Sequence, residues 1–413
     1  MSSLGKWIGI GLAAGIIGSL APVIQGGLTL RDLGIDLNRE QKVPDDSHLF
    51  EGLDLTRIDI HPRRVTAPLA DGKTAVLTIE PELQRSASSL MKRYRIPEAG
   101  IVLLDVKTAE TLVYASYINK GPTFDFNARA EAPAASVFKV VTSAALVEMA
   151  GLNAETEQCY HGGKSNVSRG ELDDDPERDK WCASMGTALG RSLNVVFARL
   201  ARKHLSVEQL TSMGGALGFG LPVPFEAVNE APMIDLPEED PLEFARSAAG
   251  FWHTSLSPLA GAQLAQTVAN AGVTLQPRIV REILDETGQP TYRMQVEPRV
   301  VRRAIKPETA SELTKMMVQT TLAGSARKTF FDRRGRGFLP NIKVAGKTGT
   351  LTRHKENRHY TWFVGFAPAE DPEVAVAALA VNTPVWRIKG PDLARDVLRA
   401  YFASRHRKGV TRP

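Results

Sequence analysis

The chain has 413 residues, with 51 Lys or Arg against 46 Asp or Glu and a formal net charge of +5. Hydrophobic residues at 43% and charged residues at 23% exclude wholesale disorder and a multi-span membrane protein. Two cysteines and eight scattered histidines leave little room for a structural zinc site or an iron–sulfur cluster.

In chain order, the first feature is an uncharged run from Trp7 to Ile24, with Lys6 just before it. At about 1.5 Å per residue it reaches about 27 Å, enough for the hydrocarbon layer of a bilayer. Residues 1–25 are therefore expected to be a single transmembrane signal-anchor. A cleaved signal peptide is the alternative, because Ser19-Leu20-Ala21 has a small-x-small pattern, although Pro22 after the cut would hinder processing. A soluble helix suits the glycine content poorly. With so short a head, the N-terminus is expected in the cytoplasm and everything after Gly26 outside. That places the chain as a single-pass protein of the cytoplasmic (inner) membrane, with its bulk on the periplasmic or extracytoplasmic side. The charge signal for this topology is thin, since Arg31 and Arg39 lie on the far side.

Residues 26–73 read as a membrane-proximal linker or small pedestal, too short for a second catalytic domain of ordinary size. One large domain is expected over 74–404. The basic tail 405–413, with Arg405-His406-Arg407-Lys408, reads as solvated, so no nucleic-acid partner is expected.

Within the large domain, Val76 to Ile79 is strand-like, and Pro81 starts a helix to about Tyr94. Ile101–Leu104 and Thr111–Tyr114 read as a hairpin. Thr361–Phe366 and Val374–Val381 form a second, apolar on both faces as central strands covered by helices should be. Helices fill the middle, and Pro391 to Ala403 supplies a last one. An antiparallel sheet flanked by helices, built from both chain ends with a helical block inserted between its strands, is an α+β arrangement.

The helix opening at Ser136 is apolar around nearly its whole circumference and should be buried. Ser136, Lys139 and Ser143 follow at i, i+3 and i+7, one polar stripe. Burial lowers a lysine's pKa, and a neutral lysine one turn from a serine hydroxyl is a base beside a nucleophile. Taken alone, Ser136 reads as a helix cap and Lys139 as a snorkelling surface residue. Ser192-Leu193-Asn194, before a helix through Phe197 and Leu200, likewise reads alone as a cap. Lys347-Thr348-Gly349-Thr350, after the strand-like Ile342–Ala345, reads alone as a protected edge strand.

Together and in this order, S-x-x-K, S-x-N and K-T-G resemble the motifs of the penicillin-interacting serine acyltransferases. The chain looks like a penicillin-binding protein transpeptidase domain from about Val76 to Val381. Leu77-Thr78-Ile79-Glu80-Pro81-Glu82-Leu83-Gln84, Leu217-Gly218-Phe219-Gly220, Ala269-Asn270-Ala271-Gly272 and Trp362 to Pro368 are similar to further landmarks of that family. Two positions depart from it: Ala135 and Ala109 stand where the family usually has glycine, a change expected to tighten or reshape the pocket entrance.

The resemblance implies Ser136 as nucleophile, Lys139 as its base, Ser192 as proton relay and Asn194 as partner of Lys139 or the substrate amide. It implies Lys347, Thr348, Gly349 and Thr350 around a substrate carboxylate, with backbone N–H groups of Ser136 and Thr350 as the oxyanion hole. No metal or organic cofactor is needed. The implied function is a membrane-anchored D,D-transpeptidase that cross-links peptidoglycan stem peptides and binds β-lactams. A carboxypeptidase or serine β-lactamase, with water as acceptor, is the near alternative. A non-catalytic sensor of wall peptides or antibiotics is the distant one. The stretch before Val76 is too short for the glycosyltransferase domain of bifunctional relatives, which makes a separate glycosyltransferase a candidate partner. His253 falls in a segment the family places near the cleft rim; a loop or packing role is the alternative. Cys159 and Cys182, 23 positions apart, are expected to pair if the domain is exported and to be two buried thiols otherwise.

Overall fold

Strands buried on both faces need apolar side chains pointing both ways, and each end of the chain supplies a hairpin of that kind. In the computed structural model, which describes residues 47–163, 166–407 and 409, these hairpins join into one antiparallel sheet. Its order is Ala345–Arg353, Arg358–Ala367, Val374–Asn382, Glu98–Asp105 and Thr111–Ile118. Register follows the alternation: Trp362 faces Leu379, which faces Gly100. Val102, Leu104, Trp362, Ala377 and Leu379 pack on one side with the Pro258–Ala269 helix, every residue of which is buried. Ile101, Leu103, Phe363, Val376 and Ala378 pack on the other side, under Pro81–Tyr94 and Gly390–Arg407. The α+β architecture expected from the sequence is therefore present. The signal-anchor expected over residues 1–25 lies outside the described residues. No helix among those described is long and apolar enough to cross a membrane.

A second sheet runs Asp59–Ile60, Val65–Pro68, Thr74–Leu77, Val280–Leu284 and Pro290–Arg293. From Ser47 on, the stretch read as linker or pedestal contributes two strands to this sheet. Its Leu55, Val65, Ala67 and Leu69 join the same hydrophobic core as the helix that follows Ser136.

Between the two hairpins lies the helical block, chiefly Lys139–Ala150, Met185–Arg191, Asn194–His204 and Pro307–Leu322. A two-stranded ribbon, Glu157–Tyr160 with Trp181–Ser184, projects from it. Cys159 and Cys182 face each other across this ribbon and form a disulfide. The insertion is pinned from below by Arg199, fully buried on the Asn194–His204 helix. Its guanidinium donates to Asp179 at 2.7 Å and to the carbonyls of Glu171 and Cys159 at 2.6 and 2.9 Å. A charge so deep survives only because each face of the fork meets an acceptor.

Candidate active site

The all-round apolar pattern does bury the helix after Ser136, but its first turn is tighter than an α-helix. Ala135–Phe138 is a 3-10 turn, and the α-helix begins at Lys139. A 3-10 turn eclipses residues i and i+3, which stacks Lys139 over Ser136. Lys139 Nζ lies 2.9 Å from Ser136 Oγ and donates to Asn194 Oδ1 at 2.8 Å and to the Ala249 carbonyl. Lys139 is fully buried, while Ser136 remains half-buried and reachable. Ser143, third in the stripe, is buried one turn further on, and its hydroxyl has no partner among the described residues.

Ser192 is not the cap of the helix that follows it. It closes Met185–Arg191 in the left-handed region at φ 59°, and Leu193 is the N-cap of Asn194–His204. This kink between two helices presents Ser192 Oγ to Lys347 Nζ at 2.9 Å. Lys347 also donates to the Thr348 carbonyl at 2.9 Å. The strand-like reading of Ile342–Val344 also gives way, since the strand begins at Ala345. Asn341 at φ 60° turns the chain there, and the Val344 carbonyl is taken by Thr321 Oγ1 at 2.6 Å rather than by a neighbouring strand.

Burial dominates the electrostatics. It lowers Lys139 well below the ordinary lysine range, and the nearby Lys347 charge lowers it further. Burial alone pushes Lys347 down to about 7. One lysine is thus poised to be neutral and the other to keep its proton up to about neutral pH.

The K-T-G strand is held close to the Ala135–Phe138 turn. Trp362 Nε1 donates to the Pro133 carbonyl at 2.9 Å, and a Cβ at Gly349 would lie 3.2 Å from the Ala134 carbonyl. Thr348 Oγ1 is 2.6 Å from Ser325 Oγ, and Thr350, two residues on, is exposed. The structure therefore brings the site residues into two hydrogen-bonded groups, Ser136 with Lys139 and Asn194, and Ser192 with Lys347. They are close enough for the Lys347 charge to act on Lys139, with Thr348 and Gly349 beside them.

Sequence reasoning missed Ser325 and the Ala249 carbonyl. Ser325 reaches the strand because Gly324 packs on Gly190, where a Cβ would fall 2.0 Å from the Gly190 carbonyl. Of the two departures from glycine, Ala109 and Ala135 both hold positive φ, 55° and 50°. Their consequence is backbone strain, and Ala109 sits in a hairpin turn, its carbonyl accepting from Arg278 N–H. His253 lies in a loop with Nε2 3.8 Å from Glu243. Among the described residues no cluster of His, Cys, Asp or Glu could hold a metal ion.

Residues 99–399 match the family described as penicillin binding protein transpeptidase domain. The chain is 29% identical over 263 residues to the peptidoglycan D,D-transpeptidase PbpA of Mycobacterium tuberculosis, a match covering 60% of this chain and 50% of that protein. It is 28% identical over 374 residues to the protein of the same name from Mycolicibacterium smegmatis, covering 80% and 72%. The chain thus spans about half the length of the first of these relatives. The fold is similar to that of penicillin-binding protein A from M. tuberculosis in its imipenem acyl-enzyme complex, at TM-score 0.66 and 23% identity over 79% of each chain. With the three motifs gathered at one site and a family match across most of its length, the chain belongs to the penicillin-binding protein transpeptidase family.

Proposed function

We propose that the protein is a serine D,D-transpeptidase acting on peptidoglycan stem peptides and inhibited by β-lactams. One observation carries the reading: a fully buried, pKa-lowered lysine lies 2.9 Å from a reachable serine hydroxyl. Ser136 Oγ attacks the carbonyl carbon of a D-Ala–D-Ala bond while its proton passes to Lys139. The C–N bond breaks, and the departing D-alanine amine takes a proton through Ser192. Asn194 fixes the base, and Lys347 with Thr348 and Thr350 holds the substrate carboxylate. Backbone N–H groups of Ser136 and Thr350 stabilise the oxyanion, each by about 3 kcal/mol. A peptide amine then attacks the acyl ester and completes the cross-link.

Residues 1–25 serve as the anchor in this reading, with the domain on the extracytoplasmic side and a separate glycosyltransferase as partner. The uncharged Trp7–Ile24 run supports that placement, as does a disulfide suited to an oxidising compartment. Intact mass of protein taken from its own membranes should retain residues before Pro22. A mature start at or just after Pro22 would make the domain a secreted one.

The test of the chemistry is acylation by penicillin. Peptide mapping should place a long-lived adduct on the peptide containing Ser136, and Ser136→Ala should abolish it. Lys139→Ala should slow acylation by orders of magnitude. An adduct lost within seconds would move the assignment to a β-lactamase. No adduct with several β-lactams, in folded protein, would leave a non-catalytic domain.

A further inference from the structure

Beside the catalytic group lies a cleft of about 800 Å³ whose walls include Tyr160, Trp181, Arg191, Leu193, Gly324 and Ser325. Its position relative to the site is specific. Arg191 and Leu193 flank Ser192, and Ser325 is bonded to Thr348. Through these neighbours the cleft adjoins the Ser192 and Thr348 side of the site, where the proposed mechanism puts the substrate carboxylate and the departing amine, and no residue of the Ala135–Phe138 turn lines it.

The walls are built rather than incidental. Tyr160 and Trp181 are cross-strand partners with ring centroids 6.2 Å apart, each next to a cysteine of the disulfide. The crosslink thus fixes an aromatic pair, although Trp181 is 59% exposed. Below the ribbon, the Gly163 carbonyl accepts from Val195 N–H, one residue after Asn194, which couples the cleft to the S-x-N motif. Arg191 is exposed and forms no ion pair among the described residues, so its guanidinium is available for an anion.

We propose that this cleft is the subsite for the acceptor: a peptide carrying a free primary amine and a carboxylate, lying along Tyr160 and Trp181 with its carboxylate on Arg191. The proposal rests on the transpeptidase reading. Aminolysis of the acyl-enzyme is the reverse of the step that expels an amine, so the attacking amine arrives along the path the leaving amine took. Attack forms a C–N bond and breaks the ester C–O bond. One amine proton passes through Ser192 to Lys139 and returns to Ser136 Oγ, and no other reactant is consumed. The chain of the acceptor must then extend outward from Ser192 and Ser325, which is where the cleft lies. Rigid aromatic rings supply contact area at low entropic cost, and the guanidinium sets orientation.

The test uses the full chain, acylated from a small thioester donor ending in D-alanine and offered an amine-bearing peptide with a free carboxylate. The readout is the ratio of aminolysis to hydrolysis. Trp181→Ala and Arg191→Ala should each lower that ratio about tenfold, the scale of one charge-assisted hydrogen bond or one aromatic contact, and more than either slows penicillin acylation. Amidating the acceptor carboxylate should reproduce the Arg191→Ala loss in the wild type and add nothing in the variant, a pattern that a structural role for Arg191 does not give. An unchanged ratio with acylation intact would overturn the acceptor site and leave the transpeptidase reading standing. Equal falls in ratio and acylation would also overturn it. Failure of the wild type to be acylated would instead remove the reading beneath it.

Discussion

Ala135 is an L-residue at φ 50°, in a region that glycine enters freely and other residues enter at about 1–2 kcal/mol. Its carbonyl is approached by Gly250, itself at φ 79°, where a Cβ would lie 2.4 Å from that oxygen. The Ala249 carbonyl beside it receives a hydrogen bond from Lys139. Gly250 thus lets one loop touch both the Ala135–Phe138 turn and Lys139. Gly250→Ala should destabilise the protein by roughly 2 kcal/mol or more, since strain and overlap add, and should slow β-lactam acylation as well. Thermal unfolding with acylation kinetics checks this; a variant matching the wild type in both would refute the packing argument. Ala135→Gly should be neutral to mildly stabilising. Relief of the left-handed strain is only partly offset by the greater freedom glycine gives the unfolded chain, about 0.4–1 kcal/mol.

Among the elements, the ribbon carrying Cys159 and Cys182 closes a covalent loop of about 24 residues, for which the chain-entropy model gives about 3 kcal/mol. The double variant Cys159→Ala, Cys182→Ala should therefore melt at lower temperature, with the Arg199 ion pair still holding the insertion. Thiol labelling of denatured, unreduced wild-type protein should find no free cysteine. Two labelled cysteines would reject the crosslink. The elements also show where sequence reasoning succeeds. The Pro81–Tyr94 helix was legible to the residue because proline at N1 is a local signal, and the two central hairpins were legible from buried runs set off by turns. The Ser136–Lys139 pair was legible because a turn of helix sets its spacing. Alone, Ser192 reads as a cap because both a left-handed C-cap and an N-cap precede a helical pattern, and only the company of the other two motifs marks it as a site residue. Ser325 was not legible at all. Its link to Thr348 depends on the close approach of Gly324 to Gly190, which no local spacing encodes.

On the scale of the whole molecule, the fold brings two buried lysines from separate layers to one centre. Lys139 from the helical block bonds Asn194, 55 positions away, and Lys347 from the sheet bonds Ser192, 155 positions away. In the proposed mechanism acylation needs Lys139 neutral, so its rate should rise with pH through that group's lowered pKa. It also needs Lys347 charged to hold the carboxylate, so the rate should fall above about pH 7. The expected profile is a bell. In Lys347→Met the falling limb should vanish, and the rising limb should move to higher pH because one of the two causes depressing Lys139 is gone. It should stay below an ordinary lysine's range, since burial remains. Stability gives an independent reading of the same charge. Lys347 binds its proton less readily folded than unfolded, so the wild type loses stability as pH falls from about 10.5 to about 7. Methionine carries no such proton. The melting temperature of Lys347→Met relative to wild type should therefore be most favourable near pH 7 and become less so towards pH 10, whatever its absolute offset. A difference independent of pH across that window would mean that Lys347 titrates as an ordinary lysine. The fall above about pH 7 would then lose its cause, whereas the shift of the rising limb, which needs only the Lys347 charge, would stand.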